Sequence, residues 1–98
     1  MQGATYEEFV AMVRESWEIE YTFGNHGYFY QRCWKEGAYE VYLLCDDVVV
    51  YHRVSDDMGA LAKDVLNLQV YDGKTAKEAE EGISVQFEAW YMPVVFSL

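Results

Sequence analysis

Tyr6, Phe9, Val10, Val13 and Trp17 recur at three- and four-residue intervals, the stripe of one amphipathic helix. Thr5 precedes the stripe and Glu8 follows it by three, a capping box in which each side chain serves the other's backbone amide. Glu7 and Glu8 also suit the positive end of the helix dipole. After Ser16 the period falls to two. Trp17, Ile19, Tyr21 and Phe23 alternate with Glu18, Glu20 and Thr22, which predicts a half-buried strand. "GNHG" at 24–27 is a turn signal, and "YFYQRCW" at 28–34 is the returning strand. "KEG" turns into "AYEVYLLC" at 38–45, and "DD" at 46–47 turns into "VVVYHRV" at 48–54. These four runs predict an antiparallel meander.

The helical period returns in "SDDMGALAKDVLNL" at 55–68, with Ser55 as expected N-cap and Met58, Leu61, Ala62, Val65 and Leu66 as its apolar stripe. "TAKEAEEG" at 75–82 repeats the capping box with Thr75 and Glu78 and stops at Gly82, so a short third helix is expected. "ISVQFEAWYM" predicts a last strand, with Val85, Phe87 and Ala89 on one face and Gln86 and Glu88 on the other. The expected class is α+β: a mainly antiparallel sheet of four to five strands, the meander plus the C-terminal strand. Two helices and a short third pack on one face. Residues 1–98 read as one domain with an apolar tail at 93–98. Strict alternation would leave Glu18, Glu20, Glu40, Tyr42, Gln86 and Glu88 on the uncovered side, and a slip of one residue would reverse that. In the second strand, Tyr28, Tyr30, Arg32 and Trp34 share one face and Phe29, Gln31 and Cys33 the other. Neither set is polar enough to mark itself as the solvent side.

Composition narrows the function classes. The hydrophobic share is 52% and the aromatic share 17%, ample for a small core built from large side chains. Seventeen Asp and Glu against seven Lys and Arg give a formal net charge of -10. Such a surface repels nucleic acid and anionic membranes and attracts basic protein surfaces. No apolar run approaches the ~20 residues of a membrane span. The amino end is polar and acidic rather than leader-like, and two cysteines are too few for a disulfide scaffold, so a cytoplasmic setting is expected.

Candidate chemistry is sparse. A zinc site needs three or four converging ligands, and no pair among His26, His52, Cys33 and Cys45 has ligand spacing, so no metal site and no cofactor are expected. Both cysteines lie in apolar strand runs, where a thiol is a small hydrophobe, and nothing marks either as an activated nucleophile. The acidic pairs Glu7/Glu8, Asp46/Asp47, Asp56/Asp57 and Glu80/Glu81 sit at helix starts and turns, where capping and solvation account for them. "DGKT" at 72–75 ends like a phosphate-binding loop but lacks the preceding glycine, and reads as a turn plus N-cap. No catalytic residue is assigned.

The run "ESWEIEYTFGNHGYFYQ", followed by "VYDGKTAKEAEEGISVQF", resembles small uncharacterised α+β proteins of gut Firmicutes and their mobile elements. The resemblance spans roughly residues 5–88. It implies a fold and a bacterial or phage source, and no activity. The functional expectation is a non-enzymatic interaction domain docking on a basic protein surface. Its sharp form is a nucleic-acid-mimicking inhibitor. The contact residues would be Glu18, Glu20, Glu40, Tyr42 and Glu88, with aromatic help from Tyr28 and Tyr30. The alternatives are a small-ligand binder with an aromatic pocket, and a self-assembling subunit forming a homodimer through its tail or an edge strand.

Overall fold

Five antiparallel strands form one sheet in the order β4-β3-β2-β1-β5. The computed structural model describes residues 1–90 and runs α1 (Tyr6–Glu15), β1 (Glu18–Phe23), β2 (His26–Lys35), β3 (Ala38–Cys45), β4 (Val48–Ser55), α2 (Met58–Leu66), a 3₁₀ turn (Glu80–Gly82) and β5 (Ile83–Ala89). The α+β class expected from the pattern is the observed one, and the last strand joins as an edge beside β1. No helix among the described residues is long and apolar enough to cross a membrane.

The local signals act as written. Thr5 Oγ1 accepts from Glu8 N–H at 3.1 Å, and Glu8 Oε1 accepts from Thr5 N–H at 3.0 Å. At the other end of α1, Ser16 Oγ donates to the Met12 carbonyl at 2.5 Å. Two helix expectations need correction. The α2 cap is Asp57, whose Oδ1 accepts from Ala60 N–H at 3.0 Å; Ser55 completes β4 and accepts from Asp57 N–H instead. The third helix is only a capped turn plus the 3₁₀ turn: the Thr75–Glu78 capping box forms, but so short a segment does not repay helix nucleation.

Phe9, Met12 and Val13 of α1 and Leu61, Ala62 and Val65 of α2 pack on Ile19, Tyr21, Tyr28, Tyr30, Val41 and Leu43. The core is rich in tyrosine, and each buried hydroxyl has a partner, as a buried polar group requires. Tyr21 and Tyr71 share a hydrogen bond of 2.6 Å, Tyr28 donates to the Val70 carbonyl at 2.8 Å, and Tyr30 donates to the Val13 carbonyl at 2.6 Å. The Tyr21 and Tyr28 rings stack at 5.2 Å, and the Tyr71 ring lies 5.0 Å from that of Tyr28. With Phe9 of α1 edge-on to Tyr21 at 5.2 Å and Phe23 edge-on to Tyr71 at 5.6 Å, these rings pack against one another as one cluster.

Arg32 resolves which face of β2 is covered. It is only 8% exposed, and its guanidinium donates to the carbonyls of Arg14 and Glu15 at 2.7 and 2.6 Å, capping the last turn of α1. The same group lies 4.2 Å from the Trp17 ring and 5.3 Å from that of Tyr39. A cation on the Tyr28–Tyr30 face is thus a core residue, because a helix C-terminus and two aromatic rings receive it.

The two sheet edges differ. The first half of β5 is covered by Gln2, which donates to the Ile83 carbonyl at 3.0 Å and accepts from Val85 N–H at 2.8 Å. This approach requires glycine at position 3, where φ is +78° and a Cβ would stand 2.2 Å from the Val85 carbonyl oxygen. Beyond β4, the opposite edge, no described strand is paired.

Candidate functional site

Register decides the second face of the sheet, since residues paired across strands share a side. Glu18 pairs with Gln31, which pairs with Tyr42, which pairs with His52. Glu20 pairs with Phe29 and Phe87; Phe29 pairs with Leu44, and Leu44 with Val49. Glu40 pairs with Cys33 and Val54. All of these lie on the side away from α1 and α2, and none of them is fully buried. Glu18, Glu20, Glu40 and Tyr42 are therefore brought together as the alternation predicts.

Three expected contact residues are placed elsewhere. Tyr28 and Tyr30 are 4% and 1% exposed beneath the helices, so they are core residues on the side opposite the open face. Glu88 pairs with Ile19 and lies on the helix side. The cause is a β-bulge: the pairing shifts between Glu20 and Tyr21, so Gln86 is the extra residue and parity inverts beyond it. Phe87 and Ala89, expected to point inward, are opposite Glu20 and Glu18 instead, and Phe87 is 48% exposed. An unbulged strand would set Glu88 directly across from Glu18, a like-charge pair that the bulge removes. Gln86 itself lines the open face, as expected. The apolar tail at 93–98 lies outside the described residues.

The open face is more apolar than the acidic alternation suggests. Val49, Val54 and Phe87 are about half exposed, with Phe29, Leu44 and Tyr42 half-buried between them. These residues follow from the register alone; their only sequence signal was the alternation of β2 and β3. Beside them is an open groove of about 370 Å³ lined by Glu20, Thr22, Phe29, Leu44, Asp46 and Gln86, among others.

Electrostatics are set by a few neighbours. Glu40 Oε2 lies 3.0 Å from His52 Nε2, and the Tyr42 ring stacks on the His52 ring at 4.2 Å. The hydrogen bond from His52, with help from Tyr42 and Lys35, holds the Glu40 carboxyl below its ordinary range. Partial burial and the charges of Glu40 and Glu18 push the Cys33 thiol up, which disfavours a thiolate nucleophile there. Three of the seven Lys and Arg are engaged elsewhere: Arg32 caps α1, Arg53 pairs with Asp64, and Lys77 pairs with Glu80. Lys35, at the end of β2, is the cation that shares the register of this face. Searches against protein-family models, curated proteins and solved structures give no match.

Proposed function

We propose that this protein is a non-enzymatic interaction domain whose open sheet face docks on a basic protein surface. The observation that carries the reading is the shared side of Glu18, Glu20 and Glu40 amid half-exposed Val54 and Phe87 and partly buried Phe29, Leu44 and Tyr42. An apolar patch of this kind, ringed by one sign of charge, has the composition of a docking surface. Three carboxylates supply orientation and association rate toward a cationic partner, while the aromatic and aliphatic side chains supply buried area. A basic groove that normally grips nucleic acid fits this chemistry, with the carboxylates in the place of phosphates. The formal charge of -10 favours such an encounter at long range.

The test uses the whole chain as bait, followed by binding measurements on the purified pair across a salt series. The Glu18→Gln/Glu20→Gln/Glu40→Gln variant is expected to weaken binding by about tenfold or more, roughly 1.4 kcal/mol. A control variant at Glu36, Asp56 and Glu81, all exposed, removes the same charge elsewhere and is expected to bind like wild type. Binding indifferent to salt, or equally weakened in both variants, would sink the reading.

A second reading rests on β4. Val48, Val49 and Val50 are exposed on a strand with no partner beyond it among the described residues, the arrangement that recruits another strand. Self-association along that edge would appear as a concentration-dependent dimer in sedimentation, abolished by Val50→Lys and untouched by the triple glutamine change.

A further inference from the structure

Two hairpin ends meet at one corner of the sheet, and three metal-ligating side chains meet there with them. His26 opens β2, and Cys45 closes β3 two strand-ends away in sequence but adjacent in the sheet. Asp46 follows Cys45 directly. Consecutive residues on a strand point to opposite sides, yet here the chain leaves the strand: Asp46 and Asp47 have φ of 49° and 67°, forming the tight turn into β4. That turn swings the Asp46 side chain back beside its neighbour's thiol. One donor atom each from His26, Cys45 and Asp46 lies within 4.8 Å of the others.

The donors are held in orientation before any ligand arrives. Asp46 Oδ1 accepts from the Gly27 backbone N–H at 2.9 Å, and Asp46 N–H donates to the Gly27 carbonyl at 2.8 Å. One carboxylate oxygen is thereby pinned by the backbone, and the other faces His26 Nδ1 at 2.5 Å. A backbone hydrogen bond that fixes a ligating carboxylate is the outer-shell support metal sites use. His26 and Asp46 are both more than half exposed, so an ion has a way in, and Cys45 is half-buried behind them.

We infer that His26, Cys45 and Asp46 form a binding site for a zinc-class divalent cation, with water completing the coordination. One imidazole nitrogen, one sulfur and one carboxylate oxygen make a borderline-soft donor set, which selects zinc or cobalt over magnesium or calcium. Zinc bonds of about 2.0–2.3 Å ask the His26–Asp46 hydrogen bond to open and the sulfur to move inward by small side-chain rotations. The Cys45 thiol gives its proton to solvent as the ion binds, and His26 ligates as the neutral imidazole through the ring nitrogen that carries no proton. Three protein ligands leave one coordination position open, the pattern of a zinc ion that also takes an outside ligand. The inference does not rest on the docking proposal, although Asp46 also lines the groove beside the open face.

Cobalt(II) added to reduced, metal-free protein tests this. One equivalent is expected to give a thiolate-to-cobalt charge-transfer band with tetrahedral ligand-field intensity, and zinc is expected to bleach it. Cys45→Ser should abolish the charge-transfer band, while Cys33→Ser, on the other side of the sheet, should keep it. His26→Gln and Asp46→Asn alter exposed side chains and leave the core alone; each is expected to weaken cobalt binding by about 100-fold or more, at or beyond the loss of an outer-shell partner. Zinc should raise the thermal midpoint of wild type and leave that of His26→Gln unmoved. The inference is overturned by the absence of a charge-transfer band at millimolar cobalt, by a band that follows Cys33 instead of Cys45, or by His26→Gln and Asp46→Asn binding like wild type.

Discussion

Leu43 and Leu44 are neighbours on β3 with the same side chain and opposite fates. Leu43 lies beneath the helices between Tyr30 and Tyr51 and is fully buried. Leu44 lies between Phe29 and Val49 on the open side and is only partly buried. The same contrast runs along β2, where Tyr30 is core and Phe29 is not. Apolar character therefore does not choose the core face of this sheet. Two helices choose it, by bringing Phe9, Val13, Leu61 and Val65 to one side only. What remains on the other side is apolar surface without a cover among the described residues, and the proposed docking rests on that remainder.

Truncating each leucine in turn breaks the comparison most directly. Leu43→Ala is expected to cost about 3 kcal/mol, from lost transfer free energy plus a cavity that the packed tyrosines cannot fill. Leu44→Ala is expected to cost under about 1 kcal/mol, since its surroundings are already partly water. Urea denaturation of both variants decides it: equal costs would mean that the open face is covered in solution.

A smaller effect is expected at Tyr21→Phe. The change leaves the Tyr71 hydroxyl buried without its partner, at a cost of about 1–2 kcal/mol. The same residue sharpens the pH behaviour of the covered face. Burial pushes the Tyr21 hydroxyl well above its ordinary value, and the Tyr71 hydroxyl up to about 12. A group whose pKa is raised by folding contributes stability that is fully present below its unfolded value, about 10 for tyrosine, and is lost as pH rises through its folded value. Thermal midpoints should hold up to about pH 10 and fall above it, less steeply in Tyr21→Phe than in wild type.

The open face contributes the smallest effect, with the opposite sign. Its Glu40 is depressed by His52, so the associated stability is present above the ordinary Glu value near 4.3 and is lost as pH falls through the lower folded value. Because this pair is solvent-exposed, Glu40→Gln is expected to flatten the acid limb of a thermal-midpoint profile only slightly. A large change there would mean that the face is less open than its register implies.

Cross-strand register joined Glu18 and Glu20 to Glu40 and Tyr42 on one face, whereas periodicity, capping boxes and turn residues are local, and so the sequence alone determined the meander, the position of α1 and the alternation within each strand. Each depends on backbone geometry over four or five residues, which neighbouring side chains dictate. Only the tertiary structure decided that Glu88 turns inward after the Gln86 bulge, because strand pairing, and not alternation, sets parity across an irregularity. It alone decided that Arg32 is a core residue, since the α1 carbonyls that accept its hydrogen bonds arrive from another element. His26 and Asp46 met for the same reason: twenty residues separate them along the chain, and sheet pairing closes that separation to a hydrogen bond.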